Sequence, residues 1–170
     1  MSDDIDIVPV TGTVPTRTVP NLDSSITLAQ ARTFVSDNLE EGVVCPCCEQ
    51  YAKLYRRKIN KGQAQSLIRL YRLGARSANG WVHVRDLGAE SREEGKLVHW
   101  GLLEEGAERR SDGGRGGWWR LTPDGRAFVE GRVAVPKYVY LYNAKLVRVD
   151  TDEYVTIHDA LGEPFLLTDI

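Results

Sequence analysis

Apolar residues first recur at helical spacing at Leu28, Ala31 and Val35, with Phe34 widening the buried face. Thr27 and Gln30 have capping-box spacing, and Gly42 closes the segment. A second amphipathic helix is expected after Asn60, with Gln63 three residues on, Leu67, Ile68, Leu70 and Tyr71 along its face, and Gly74 at its end. Residues 81–84 then read as a short strand, followed by a small helix around Asp86 and Leu87. Ser91 is placed to cap a further helix through Trp100, which turns Leu97 and Trp100 inward before Gly101 stops it. Residues 102–105 begin a strand, 111–117 make a glycine-rich turn and 118–121 form the returning strand. Thr122-Pro123-Asp124 starts a last helix, which Phe128 and Val129 pack back.

Strict alternation from Val135 to Tyr142 puts Tyr138, Tyr140 and Tyr142 on one strand face and Val139 and Leu141 on the other. The tyrosines are expected to pack beneath the helices as core, with a stripe that stacks bases or forms a partner surface as the alternative. Turns at Asn143-Ala144 and at residues 150–152 point to a three-stranded meander, with a short helix near Asp159. The basic stretch 51–59 fits a helix or a strand equally.

Helix, strand, helix, helix, strand, turn, strand, helix is the order of a winged helix-turn-helix. The expected fold class is α+β. A winged helix over residues 60–132 follows a flexible acidic tail (1–22) and a segment with a helix, a cysteine knuckle and basic residues (23–59); residues 133–170 add a small antiparallel β extension. Pro9, Pro15 and Pro20 interrupt any strand in the tail.

With 42% hydrophobic and 27% charged residues, the chain has the composition of an ordinary globular protein. No apolar run approaches the roughly 20 residues of a membrane span, so no membrane partner is expected. The start, Met1-Ser2-Asp3-Asp4, is acidic and unlike a secretory signal; a cytosolic location is expected.

Charge is segregated. The net value of -2 conceals nine cations without one acid between residues 50 and 85, including Lys53, Arg56, Arg57, Lys58, Lys61, Arg69, Arg72, Arg76 and Arg85. Residues 109–137 are basic as well, while the segment between the two blocks and both ends of the chain are acidic. Two basic blocks converging on one face would meet a polyanion; solvated faces that neutralise each other are the plainer alternative.

In a helix-turn-helix the second helix lies in the major groove. Ser91, Arg92, Lys96 and His99 are the candidates there, with Arg92 suited to a bidentate contact with guanine. Arg109, Arg110, Arg115 and Arg120 flank the glycine-rich wing, and the basic Lys53–Arg76 block, with Arg56, Arg57, Lys58 and Lys61 in it, would support phosphate contacts. Glu90, Glu93 and Glu94 oppose this by repelling phosphates. Double-stranded DNA is therefore the expected partner. The alternative is a non-catalytic module that docks on another protein; a homodimer also stays open, although no heptad seam marks one.

The run Gly101-Leu102-Leu103-Glu104-Glu105, the glycine-rich turn and Trp119-Arg120-Leu121-Thr122-Pro123-Asp124-Gly125-Arg126 resemble the wing region of transcription regulators of the MarR and PadR groups. Cys45-Pro46-Cys47-Cys48, the 53–60 segment, residues 92–97, Trp100-Gly101-Leu102, Asp112-Gly113-Gly114-Arg115 and Val135-Pro136-Lys137-Tyr138 together resemble a family of uncharacterised bacteriophage and prophage proteins, over residues 43 to 165. The resemblance implies the fold and a viral origin, hence the host cytoplasm as location and a host or phage protein as the partner of the docking alternative, and transfers no activity. The chain departs from ordinary regulators in its preceding cysteine cluster and its acid-rich recognition helix.

Cys45 and Cys48 have the separation of a zinc knuckle, and Cys47 is a third candidate ligand. A fourth would come from His83, His99, His158 or a second chain; otherwise the cysteines are small buried apolar residues. No Walker loop, nucleophile elbow or His-Glu-x-x-His motif is present, and Gly113 to Gly117 lacks the Lys-Ser/Thr of a phosphate loop, so catalysis is not expected.

Overall fold

The computed structural model describes residues 26–88, 94–109, 111, 113–114 and 116–165. The chain divides into two compact units, the first through Leu54 and the second from Tyr55. Both mix helices with small antiparallel sheets, an α+β class.

In the first unit, α1 spans Leu28–Asp37 and is opened by the expected capping box of Thr27 and Gln30. Ala31 and Val35 are its buried residues. A turn leads to β1 (Val43–Val44), which pairs with β2 (Tyr51–Ala52) as a short hairpin. Gly42 has φ 88°, and a Cβ there would lie 2.0 Å from the Tyr51 hydroxyl, so only glycine fits beneath that ring.

The second unit opens with β3 (Tyr55–Lys58), which settles the 55–58 part of the ambiguous basic stretch as strand. Asn60 and Gln63 cap α2 (Lys61–Gly74) reciprocally, and its apolar stripe buries Ala64, Leu67, Ile68 and Leu70. Next come β4 (Val82–His83), a 3₁₀ turn at Val84–Leu87, a 3₁₀ helix at Glu94–Trp100, β5 (Leu103–Glu105) and β6 (Trp118–Leu121). The three strands form a sheet in the order β4-β6-β5. Thr122 caps α3 (Pro123–Val129) with proline in the first turn. Gly125 packs so closely that a Cβ would lie 2.0 Å from the Leu102 carbonyl oxygen, which lets α3 lie against the start of β5.

The segment between Gly88 and Leu103 departs from the expected helix. Of the expected 91–100 helix only residues 94–100 are described, and they form a 3₁₀ helix. Three residues per turn align positions i and i+3, so Glu94, Leu97 and Trp100 make one column, and all three are buried.

The C-terminal strands also pair differently from a meander. β7 (Val135–Pro136) pairs with β10 (Tyr154–Val155), while β8 (Tyr138–Tyr142) lies between β3 and β9 (Lys145–Val149). A short α4 (Ile157–Leu161) follows. Val135, Val139, Leu141, Ile157 and Leu161 join Leu67, Leu97, Leu102 and Phe128 in one core, so residues 133–165 complete the core of the central segment. Filling such sites is worth roughly 1.5–3 kcal/mol per large aliphatic side chain.

Candidate nucleic-acid interface

Arg69 and Arg72 on α2 and Arg76 in the turn that follows its last residue recur at three and four positions, so they line one side of the helix and its extension. With Leu73, Asp86, Leu87 and Gly88 they line a cavity of about 590 Å³ at the turn that precedes residues 89–93. Arg69 Nη1 donates to the Leu87 carbonyl at 3.0 Å and ties the helix to that turn. The sequence placed these arginines in the basic Lys53–Arg76 block expected to support phosphate contacts, without singling out their common helix side. Their helical spacing was the available signal.

Of the expected recognition residues, Ser91 and Arg92 lie outside the described residues, as do Glu90 and Glu93. Lys96 and His99 are described; their three-residue spacing puts them in one column of the 3₁₀ helix, half-buried. Glu94 is turned away from that column. It is buried and accepts a 3.3 Å hydrogen bond from Ser66 Oγ on α2. The Trp100 indole N–H donates to the Pro136 carbonyl at 2.8 Å, fixing the far end of the helix.

The expected wing residues divide. Arg110 and Arg115 lie outside the described residues. Arg109 donates to the Gly106 and Glu108 carbonyls, each at 3.3 Å, and lies 3.7 Å from the Glu105 carboxylate. Arg120 sits at the base of the hairpin, paired with its cross-strand partner Glu104, and its guanidinium carbon lies 4.6 Å from the Trp81 ring centroid. It is a strut of the sheet whose charge is locally matched.

Arg56, Arg57 and Lys58 belong to β3, on a different sheet, and Lys61 pairs with Glu163 at 2.9 Å. The basic block that is continuous in sequence thus splits between a strand and a helix. The tyrosine expectation is corrected as well: Val139 and Leu141 are the buried face of β8, at 0% and 7% exposure, while Tyr138, Tyr140 and Tyr142 are half-exposed. The Arg56 and Arg148 guanidiniums over Tyr138 and Tyr140 explain the inversion, because a ring capped by a charge does not enter an aliphatic core.

In the first unit, the cysteines occupy the tight turn that joins β1 to β2, closed by bonds from the Cys45 amide to the Gln50 carbonyl (2.8 Å) and from the Glu49 amide to the Cys45 carbonyl (2.9 Å). Cys45 is half-buried, and Cys47 and Cys48 are exposed, so the latter two are not core residues. The amides of Cys47 and then Cys48 point at the Cys45 sulfur and hold its pKa below the ordinary thiol value. Among the described residues no three or more His, Cys, Asp or Glu side chains converge as a metal shell.

Among the described residues no helix is long and apolar enough to cross a membrane. Comparison with known protein families, curated proteins and solved structures finds no match to this chain.

Proposed function

We propose that residues 60–132 are a winged helix-turn-helix module that binds double-stranded DNA, with the 94–100 helix toward the groove and residues 106–117 as the wing. The order of α2, β4, the two 3₁₀ segments, β5, β6 and α3, with strand order β4-β6-β5, supports the fold. The observation that carries the function is the row Arg69, Arg72 and Arg76 beside the turn leading to that helix. Cations at that edge meet phosphates and fix register, leaving base contacts to the helix. Inward burial of Glu94 removes one of the three carboxylates that weighed against the reading. The resemblance to phage and regulator sequences points to transcription or another DNA-associated process.

The cysteine turn is read as half of a tetrahedral zinc site that a second copy of the chain completes. Its support is the tight turn closed by the Cys45 and Glu49 amides, which carries Cys45 and the exposed Cys48 on one short loop. Zinc bound there would join two chains by Cys45 and Cys48 from each.

The test is a comparison of variants on one DNA duplex. Arg72→Ala and Arg76→Ala should each weaken binding and lower the slope of log affinity against log salt by about one. Arg120→Ala, which removes a cation already matched by Glu104, should leave that slope unchanged. Equal slopes for all three variants and the parent protein would remove the phosphate role of the α2 row.

A further inference from the structure

The β3-β8-β9 sheet carries a second pattern that duplex recognition leaves unused. Cross-strand partners point to the same side of a sheet. The register therefore sets Lys58 beside Tyr138, Arg56 and Arg148 on either flank of Tyr140, and Lys145 beside Tyr142. The guanidinium carbon of Arg56 reaches diagonally to within 4.0 Å of the Tyr138 ring centroid, and that of Arg148 lies 4.2 Å from the Tyr140 centroid. Both distances are in the cation–π range. Lys137 also approaches Tyr138, at 5.3 Å, while paired with Glu153 at 2.7 Å. Asp150 and Asp152 are the acids beside Arg148, past the end of β9.

We propose that this tyrosine–arginine face binds single-stranded nucleic acid. Bases would stack on the rings and guanidinium planes, and phosphates would follow Arg56, Lys58, Lys145 and Arg148. Aromatic and guanidinium planes accept the flat side of any base, which a duplex hides inside its own stack. Tyr138, Tyr140 and Tyr142 alternate along β8, about 6.8 Å apart at the usual strand rise. That is about twice the roughly 3.4 Å rise of one strand in a duplex, so a strand drawn out and unstacked can seat successive bases on successive rings. The excess of cations around half-exposed rings selects a polyanion over an apolar protein surface. The face lies on a different sheet from β4-β6-β5, so the two activities separate by mutation.

The experiment is fluorescence anisotropy of the full chain with end-labelled oligo(dT) and oligo(U) of about 20 nucleotides, at about 50 mM salt. Binding of either polymer is expected. Tyr140→Leu should weaken it about tenfold and Tyr140→Phe should retain it, because the ring and not the hydroxyl carries the stacking. Arg56→Gln should weaken binding and flatten its salt dependence, and duplex affinity should be unchanged in Tyr140→Leu and Tyr140→Phe. Arg56 is exposed, so this variant decides the matter alone if thermal melting shows that Tyr140→Leu fails to fold. Absence of binding to both polymers, parent-like affinity in folded Tyr140→Leu, or parent-like affinity in Arg56→Gln would overturn the proposal.

Discussion

Ser66 Oγ donates a 3.3 Å hydrogen bond to Glu94 Oε1 between α2 and the 94–100 helix, where the two residues are only 4% and 3% exposed. A carboxylate in that position is costly unless it is hydrogen-bonded, so the contact fixes which side of the 3₁₀ helix turns inward. Ser66→Ala deletes the donor and leaves the acceptor buried. It should lower stability by about 1–3 kcal/mol in urea denaturation. A midpoint equal to that of the parent protein would mean that the bond contributes nothing.

Acid should weaken the joint between α2 and α3. Arg132 and, next, the Tyr71 hydroxyl (3.0 Å) donate to Glu130 at the end of α3 and hold its carboxyl below the ordinary 4.5. A depressed folded-state pKa means that the stabilisation is complete above the unfolded value, declines as pH falls through the folded value and is absent below it. Stability measured against pH should therefore fall below about pH 4.5, and Glu130→Gln should make that decline shallower. A decline of the same steepness in the variant would exclude Glu130 as a source.

The β8–β9 hairpin turns through Asn143 and Ala144, both at positive φ (48° and 57°). Asparagine tolerates that conformation, whereas alanine is strained there by about 1–2 kcal/mol. Ala144→Gly relieves the strain at some cost in chain entropy and should raise stability by roughly 0.5–1 kcal/mol in thermal or urea melts. Destabilisation would show that the alanine methyl has a packing role.

For the cysteine turn, protein purified without added zinc should carry about one zinc per two chains, since each chain supplies two of the four ligands. Cys45→Ser combined with Cys48→Ser should lose the metal and the associated dimer. Metal-free parent protein would rule out the site.

Local chemistry was the most legible part of the sequence. The caps at Thr27, Asn60 and Thr122 depend on residues three apart, and the structure contains all three. The alternation of β8 was equally plain, but alternation separates two faces without saying which is buried. The choice was made by Arg56 and Arg148 on neighbouring strands, and their pairing with β8 is a long-range fact. The even spacing of Glu94, Leu97 and Trp100 was itself a 3₁₀ signal, yet capping and length suggested an α-helix. Contiguity misled most over charge. Arg56 and Arg72 are close neighbours in the chain but serve a strand and a helix with separate surroundings. The positions richest in expected base contacts, Ser91 and Arg92, lie outside the described residues.

The central claim is that the α2 arginine row and the adjoining helix meet the phosphates of a duplex. Its most direct measurement is the affinity of the parent protein for a blunt double-stranded oligonucleotide across salt, from about 50 to about 200 mM. A linear fall in log affinity with a slope equivalent to several released counterions is expected. No binding at the lowest salt, or affinity indifferent to salt, would contradict the claim.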